Sequence, residues 1–301
     1  MLKYYLEEMF EPTLLYGTSL AVIGVATAAH YGHFSAFYGL LAIIGSALAQ
    51  MSVNVISDYF DYESGLDRKL IRTKKDNLSG GSTLIAKGLI KPKQTLAIGL
   101  LIFAVAGIIG LYLLYVRIQL LPILIIAIVS ILLYARYVKK VPYLSEPLCT
   151  LNYTLIALGS FIVVAGNAPL PYGLIFLLIP SGILLGGDAL YVNEVPDRKI
   201  DEKFGIKHSA AMLKTSKKIG LYYLGMQSAA FILMILGVIL GYIPIICLAV
   251  LITYPTTAYV YMGLSRAGTK NYGKYLFIHT LSSITFAIIL SLSLISGTVA
   301  L

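Results

Sequence analysis

Tryptophan is absent from this 301-residue chain, and cysteine and histidine are nearly so, at two and four residues. Cys149 and Cys247 lie in or beside apolar runs without CxxC spacing, so neither a metal nor a redox role is expected of them. His30, His33, His208 and His279 show no ligand spacing. Charge is scarce as well: 12% of residues are charged against 58% hydrophobic, and the mean hydropathy is +0.84. That balance excludes a single soluble domain and reads as a membrane protein.

The apolar residues come in runs of membrane-spanning length, about 20 residues each. Nine are predicted, at 12–31, 35–57, 94–115, 118–138, 148–167, 172–192, 219–240, 243–263 and 276–299. The expected fold is all-α and integral to the membrane: residues 1–301 form one domain of nine transmembrane helices, two four-helix halves plus a ninth helix around a central cavity. The first run follows Glu7, Glu8 and Glu11 instead of a basic segment, so it is expected to stay in the membrane rather than to be cleaved.

Basic residues provide an independent check, because Lys and Arg concentrate in cytoplasmic loops. With the N-terminus inside, Lys3 and the stretches 68–93, 136–140, 198–218 and 266–274 put 22 of the 23 Lys and Arg on one side, leaving Arg117 alone on the other. The formal charge of +9 therefore belongs to one face. Part of it serves anionic lipid headgroups. No nucleic-acid partner is expected.

Against that background, carboxylates stand out. There are only 14, and five fall into two clusters: Asp58, Asp61 and Asp67, then Asp197 and Asp201. Desolvating an unpaired carboxylate costs several kcal/mol or more, so packing does not explain them at the ends of apolar helices. Each cluster opens one of the two long connections, 58–93 and 193–218, which are read as cytoplasmic catalytic loops. Asn54 to Asn193 and Asp58 to Asp197 are both 139 residues apart, in register on the second and sixth helices. This points to a duplicated bundle with its site between the halves.

The spacing permits a specific chemistry. In Asn54-x-x-x-Asp58 the side chains lie one turn apart on one helix face, and Asp197 to Asp201 repeats that interval. Pro196 and Gly65 are expected to end or bend the helices there. Hard divalent ions suit such oxygen ligands, Mg²⁺ above all, since it joins carboxylates to substrate phosphates. Arg68, Lys69, Arg72, Lys74 and Lys75 follow the first cluster, and Arg198, Lys199, Lys203 and Lys207 the second. Cations and metal together would offset the repulsion between carboxylates and a diphosphate. Glu63, Asp76 and Glu202 are expected to be solvated or paired with basic neighbours, while Asp188, inside the sixth run beside Gly186 and Gly187, reads equally as packing or function. Most of the 23 tyrosines should anchor at the membrane interface. Tyr134, Tyr137, Tyr153 and Tyr191 lie near the cytoplasmic end, where aromatic faces can stabilise a cation. Tyr134, close to Lys139 and Lys140, is the foremost candidate among them.

These motifs resemble the UbiA family of intramembrane prenyltransferases, which has nine transmembrane helices and acidic motifs after the second and sixth. Asp197-Arg-Lys-Ile-Asp201, preceded by Asn193, matches the second. The run Asn54-Val-Ile-Ser57-Asp58-Tyr59-Phe60-Asp61-Tyr-Glu-Ser-Gly65-Leu66-Asp67, with Gly80-Gly-Ser-Thr-Leu-Ile-Ala-Lys-Gly88, is most similar to the branch that prenylates dihydroxynaphthoate on the way to menaquinone. Ser57 stands where that branch usually has asparagine, and Glu11-Pro12 where the family often has Arg-Pro.

The resemblance implies Mg²⁺, two ions, held by Asp58, Asp61, Asp67, Asp197 and Asp201. Asn54, Ser57, Arg68, Lys69, Arg72, Lys139, Lys140, Asn193, Arg198 and Lys207 would support the diphosphate of a polyprenyl donor. Asp58, Asp61, Asp197, Asp201 and Tyr134 would carry catalysis, with a hydrophobic aromatic acceptor such as 1,4-dihydroxy-2-naphthoate. Two alternatives remain at this point. One is a prenyltransferase using a non-aromatic acceptor such as geranylgeranylglyceryl phosphate. The other is a cation-coupled transporter, although transport predicts charges near the bilayer midplane rather than at its edge. A CDP-alcohol phosphotransferase would need a D-G-x-x-A-R run, which is not found.

Overall fold

The computed structural model describes every residue except 1, 11–12, 64–83, 139–140, 204, 267–271 and 298–301. The described residues are helical with no strands. The helices are α1 (Leu2–Met9), α2 (Leu14–His30), α3 (Ala36–Glu63), α4 (Pro92–Val116), α5 (Leu121–Arg136), α6 (Ser145–Ala165), α7 (Gly173–Gly182), α8 (Asp188–Glu194), α9 (Arg198–Lys203), α10 (Ser209–Met212), α11 (Ser216–Ile239), α12 (Tyr254–Arg266) and α13 (Tyr272–Ser296). A π-turn, Ile183–Gly187, joins α7 to α8, and a 3-10 segment, Ile245–Thr253, leads into α12.

Among the described residues, seven helical segments are long and apolar enough to cross a membrane, and they match seven of the nine predicted runs: Ala36–Phe60, Pro92–Val116, Ser145–Ala165, Gly173–Glu194, Ser216–Ile239, Ile245–Ser265 and Tyr272–Ser296. Helix α2 has 17 residues, a rise of about 26 Å against a hydrocarbon core of about 30 Å. It makes an eighth span only when joined to α1, from which it is bent by 50°. The predicted run 118–138 is likewise a shorter apolar helix. Among the described residues, length and composition thus establish seven spans, or eight with the bent pair; nine are not established.

The core gathers Tyr16, Leu20 and Ile23 of α2, Ala157 and Phe161 of α6, Leu177 of α7, Leu184 and Leu185 of the π-turn, Met234 of α11, and Phe286 and Leu290 of α13. Gly173–Glu194 lies at its centre and is largely buried, whereas most of α4 is not. Leu101, Phe103, Ile108 and Leu111 of α4 and Leu132 of α5 face outward. Such a continuous apolar exterior is what lipid requires.

The central segment approaches α6 closely because its π-turn ends in glycines. A Cβ on Gly187 would stand 2.2 Å from Thr150 Oγ1 and 2.9 Å from the Glu146 carbonyl oxygen, and one on Gly186 would stand 2.7 Å from the Tyr153 Cβ. Small residues let helix backbones meet within a membrane. The extra residue of the π-turn also rotates the face that follows, and Asp188 is the first residue after it.

A second, smaller core surrounds the far end of the central segment: Tyr191, Val192, Val195, Ala210, Ile219, Tyr223, Val260, Leu264 and Tyr272. It fixes the start of the second acidic cluster to α10, α11, α12 and α13. The Tyr191 hydroxyl donates to the Ile219 carbonyl at 2.9 Å, and the Tyr272 hydroxyl donates to that of Val192.

Candidate active site

The first cluster begins on α3, which carries Asp58 and Asp61 and is described as far as Glu63. Asn54 and Asp58 lie one turn apart on that helix, with Asp58 buried and Asn54 half-buried. Asn54 is held from two sides: its Nδ2 donates to Thr13 Oγ1 at 2.6 Å, and its Oδ1 accepts from Gln50 Nε2 at 3.0 Å. The Tyr153 hydroxyl reaches Gln50 Oε1 at 3.5 Å. Because Tyr153 also packs on Gly186, this chain of contacts links the helix of the first cluster, through α6, to the segment that leads into the second.

Ser57 is exposed, on the side of α3 that also exposes Val53 and Phe60, and so lies off the buried face of Asp58. Asp61 follows Asp58 on the same helix, but its side chain is outside the described residues, as are Asp67, Arg68, Lys69, Arg72, Lys139 and Lys140.

At the second cluster Asn193 lies in the last turn of α8, which ends at Glu194, and the chain turns at Val195–Pro196 before α9 begins. The Asp197 amide donates to the Glu194 carbonyl at 3.2 Å, and the Asp201 amide to the Asp197 carbonyl at 3.0 Å. Asp197 and Asp201 are therefore a helical turn apart, as the spacing predicted, and both are half-buried. The Arg198 guanidinium folds back, Nη1 donating to the Val195 carbonyl at 2.6 Å. Lys207 is exposed. Tyr134 is half-buried on α5. Tyr137 is exposed, and Tyr191 is engaged in packing.

Three polar groups that sequence reasoning did not assign join this end of the molecule. His208 Nε2 lies 3.0 Å from Asp201 Oδ2. Glu146, buried at the start of α6, accepts from Ser209 Oγ at 2.7 Å. Glu194 Oε2 stands 3.5 Å from His208 Nδ1. The one signal available for His208 was its position immediately after the Gly205-Ile-Lys turn; nothing in the sequence marks Glu146.

Deeper in the bundle, Asp188 is wholly buried. Gln227 Nε2 donates to its Oδ2, Thr257 Oγ1 donates to Gln227 Oε1 at 3.0 Å, and His279 Nδ1 lies 3.8 Å from Asp188 Oδ2. This ties α8 to α11, α12 and α13. The residue that the sequence left even between packing and function thus has an interhelical partner set.

Asp58, Asp197 and Asp201 present hard oxygen donors, the type Mg²⁺ takes, and so fit that ion. Among the described residues no three His, Cys, Asp or Glu side chains already converge on a common point.

The model of the UbiA prenyltransferase family matches residues 18–284. The chain belongs to this family. It is therefore an enzyme, a UbiA-type prenyltransferase, and an integral membrane protein. No curated protein sequence matches it significantly. Among solved structures it is similar to a digeranylgeranylglyceryl phosphate synthase, 20% identical with a TM-score of 0.61 over 100% of this chain and 99% of that one. A UbiA homolog from Aeropyrum pernix K1 is 15% identical, with a TM-score of 0.68 over 95% and 98% of the two chains. A UbiA homolog from Archaeoglobus fulgidus bound to GPP and Mg²⁺ is 14% identical, with a TM-score of 0.62 over 97% and 99%. At these identities the likeness establishes the fold. The family match carries the enzymatic class.

Proposed function

We propose that this UbiA enzyme transfers a polyprenyl group from its diphosphate to an electron-rich aromatic acceptor of quinone-precursor type, such as 1,4-dihydroxy-2-naphthoate. The observation that carries the reading is the sequence run Asp58-Tyr-Phe-Asp61-x-x-x-Gly65-x-Asp67, whose Asp58 and Asp61 stand on a helix linked through Asn54, Gln50 and Tyr153 to the segment that leads into Asp197 and Asp201. Asp58, Asp61, Asp67, Asp197 and Asp201 would hold Mg²⁺, two ions, which when bound supply positive charge to the leaving diphosphate. Arg68, Lys69, Arg72, Lys139, Lys140, Arg198 and Lys207 add to that charge, with Asn54 and Asn193 as hydrogen-bonding neighbours. The Archaeoglobus fulgidus homologs bound to GPP or DMAPP with Mg²⁺ support the choice of donor and ion.

In the reaction the C1–O bond breaks with its electron pair leaving on the diphosphate. The allylic cation left behind is flanked by the face of Tyr134 and shielded by the apolar helices from water, which would otherwise capture it. A ring carbon of the acceptor then bonds to C1, and the ring regains aromaticity by losing a proton or carbon dioxide. The side chains at both clusters and the N-terminus face the cytoplasm in this reading, which rests on the one-sided distribution of Lys and Arg.

A second reading, a geranylgeranylglyceryl phosphate acceptor, is favoured by the likeness to the digeranylgeranylglyceryl phosphate synthase. Purified enzyme given labelled prenyl diphosphates and both acceptors distinguishes the two. A carbon-prenylated aromatic product supports the first reading; an ether lipid formed instead replaces it with the second.

A further inference from the structure

His208 belongs to no motif, yet the fold brings it back onto the second acidic pair. The reversal begins at Gly205, whose φ of 75° is left-handed. Its amide donates to the Glu202 carbonyl at 3.1 Å and the Ile206 amide donates to that of Asp201 at 3.0 Å, the paired bonds that close a helix on a glycine. Three residues on, His208 caps α10 in extended conformation, its Nδ1 accepting the Ala211 amide at 3.1 Å.

That cap fixes the tautomer. A ring nitrogen that accepts an amide hydrogen presents its lone pair there, so the neutral ring carries its proton on Nε2. Glu194 Oε2 is also near Nδ1, but at 3.5 Å it is the longer contact. Nε2–H then points at Asp201 Oδ2, 3.0 Å away, and the ring is 3% exposed, so little solvent competes for the bond.

We propose that His208 is a positioning residue for the second acidic pair. By donating to Oδ2 it sets the rotation of the Asp201 carboxylate, and with it the direction in which the other oxygen meets the cation that accompanies the diphosphate. Partners of this kind are worth about 10- to 100-fold in metal affinity or activity. The proposal rests on Asp201 being a metal ligand, as argued above.

Two substitutions separate positioning from capping. His208→Asn keeps a good N-cap but is too short to reach Asp201. His208→Gln loses the cap geometry but carries an amide N–H near the position of Nε2. The measurement is Mn²⁺ binding by electron paramagnetic resonance to the full-length protein in detergent with a non-reacting prenyl thiolodiphosphate, beside thermal unfolding. We expect His208→Asn to unfold like wild type and to bind Mn²⁺ about 10- to 100-fold more weakly, His208→Gln to recover most of that loss, and His208→Asn to add nothing in an Asp201→Ala background. Wild-type Mn²⁺ affinity in His208→Asn overturns the positioning role and leaves the metal reading standing. No Mn²⁺ binding by wild type overturns both. Should the Asn variant fail to fold, His208→Gln decides: near wild-type affinity supports the proposal, and a loss equal to that of Asp201→Ala overturns it.

Discussion

Gln227→Met tests the buried polar tie around Asp188. Gln227 is the hydrogen-bond donor to Asp188 Oδ2, while Asp188 Oδ1 has no hydrogen-bond partner among the described residues. Methionine preserves length and volume but removes the donor, so a wholly buried acid loses its amide partner and Thr257 loses its acceptor. In water-soluble proteins stranding a buried polar group costs about 1–3 kcal/mol. Side-chain bonds between membrane helices average nearer about 0.6 kcal/mol, with a maximum of about 1.7. Two bonds are lost here and one involves an acid, so the expected loss is about 1–2 kcal/mol. Adding Asp188→Leu removes the stranded group and should return part of the stability, giving a coupling energy of at least about 0.5 kcal/mol in the double-mutant cycle. The assay is reversible unfolding of purified protein in detergent, with all four variants compared in the same micelle. Strict additivity of the two substitutions would refute the claim that the residues act as a unit.

Other outcomes follow from the same geometry. Asp58→Ala and Asp197→Ala should each abolish prenyl transfer while leaving the protein folded, as read by product formation beside size-exclusion and thermal melting; wild-type rates in both would refute the metal assignment. Gly187→Val should destabilise by at least about 1–3 kcal/mol, the usual range for overpacking, because even a Cβ there would stand 2.2 Å from Thr150 Oγ1; an unchanged melting temperature would mean that α6 and the π-turn are not closely packed.

The long apolar runs made most of the helices legible, since seven runs of spanning length have few structural alternatives. The acidic spacing was equally readable: Asp197 and Asp201 keep their helical turn because a 3.6-residue period is a local property. Less visible were α1, α9 and α10, of eight, six and four residues, too short to show a period and stabilised by contacts elsewhere. Residues whose partners arrive from other helices were hidden altogether. Asp188 meets Gln227 across 39 positions and Glu146 meets Ser209 across 63. His208 was closer, seven residues from Asp201, but the link required a glycine reversal that spacing alone does not announce.

The central claim is that two acidic clusters on one helical scaffold bring a divalent cation to a prenyl diphosphate. Its most direct test is diphosphate release by the purified enzyme from a labelled prenyl diphosphate, with an aromatic acceptor, titrated with Mg²⁺ and then with chelator. The account predicts release and prenylated product that rise with Mg²⁺ and vanish on chelation. Release at an undiminished rate without any divalent ion, or none with any donor at saturating Mg²⁺, would contradict it.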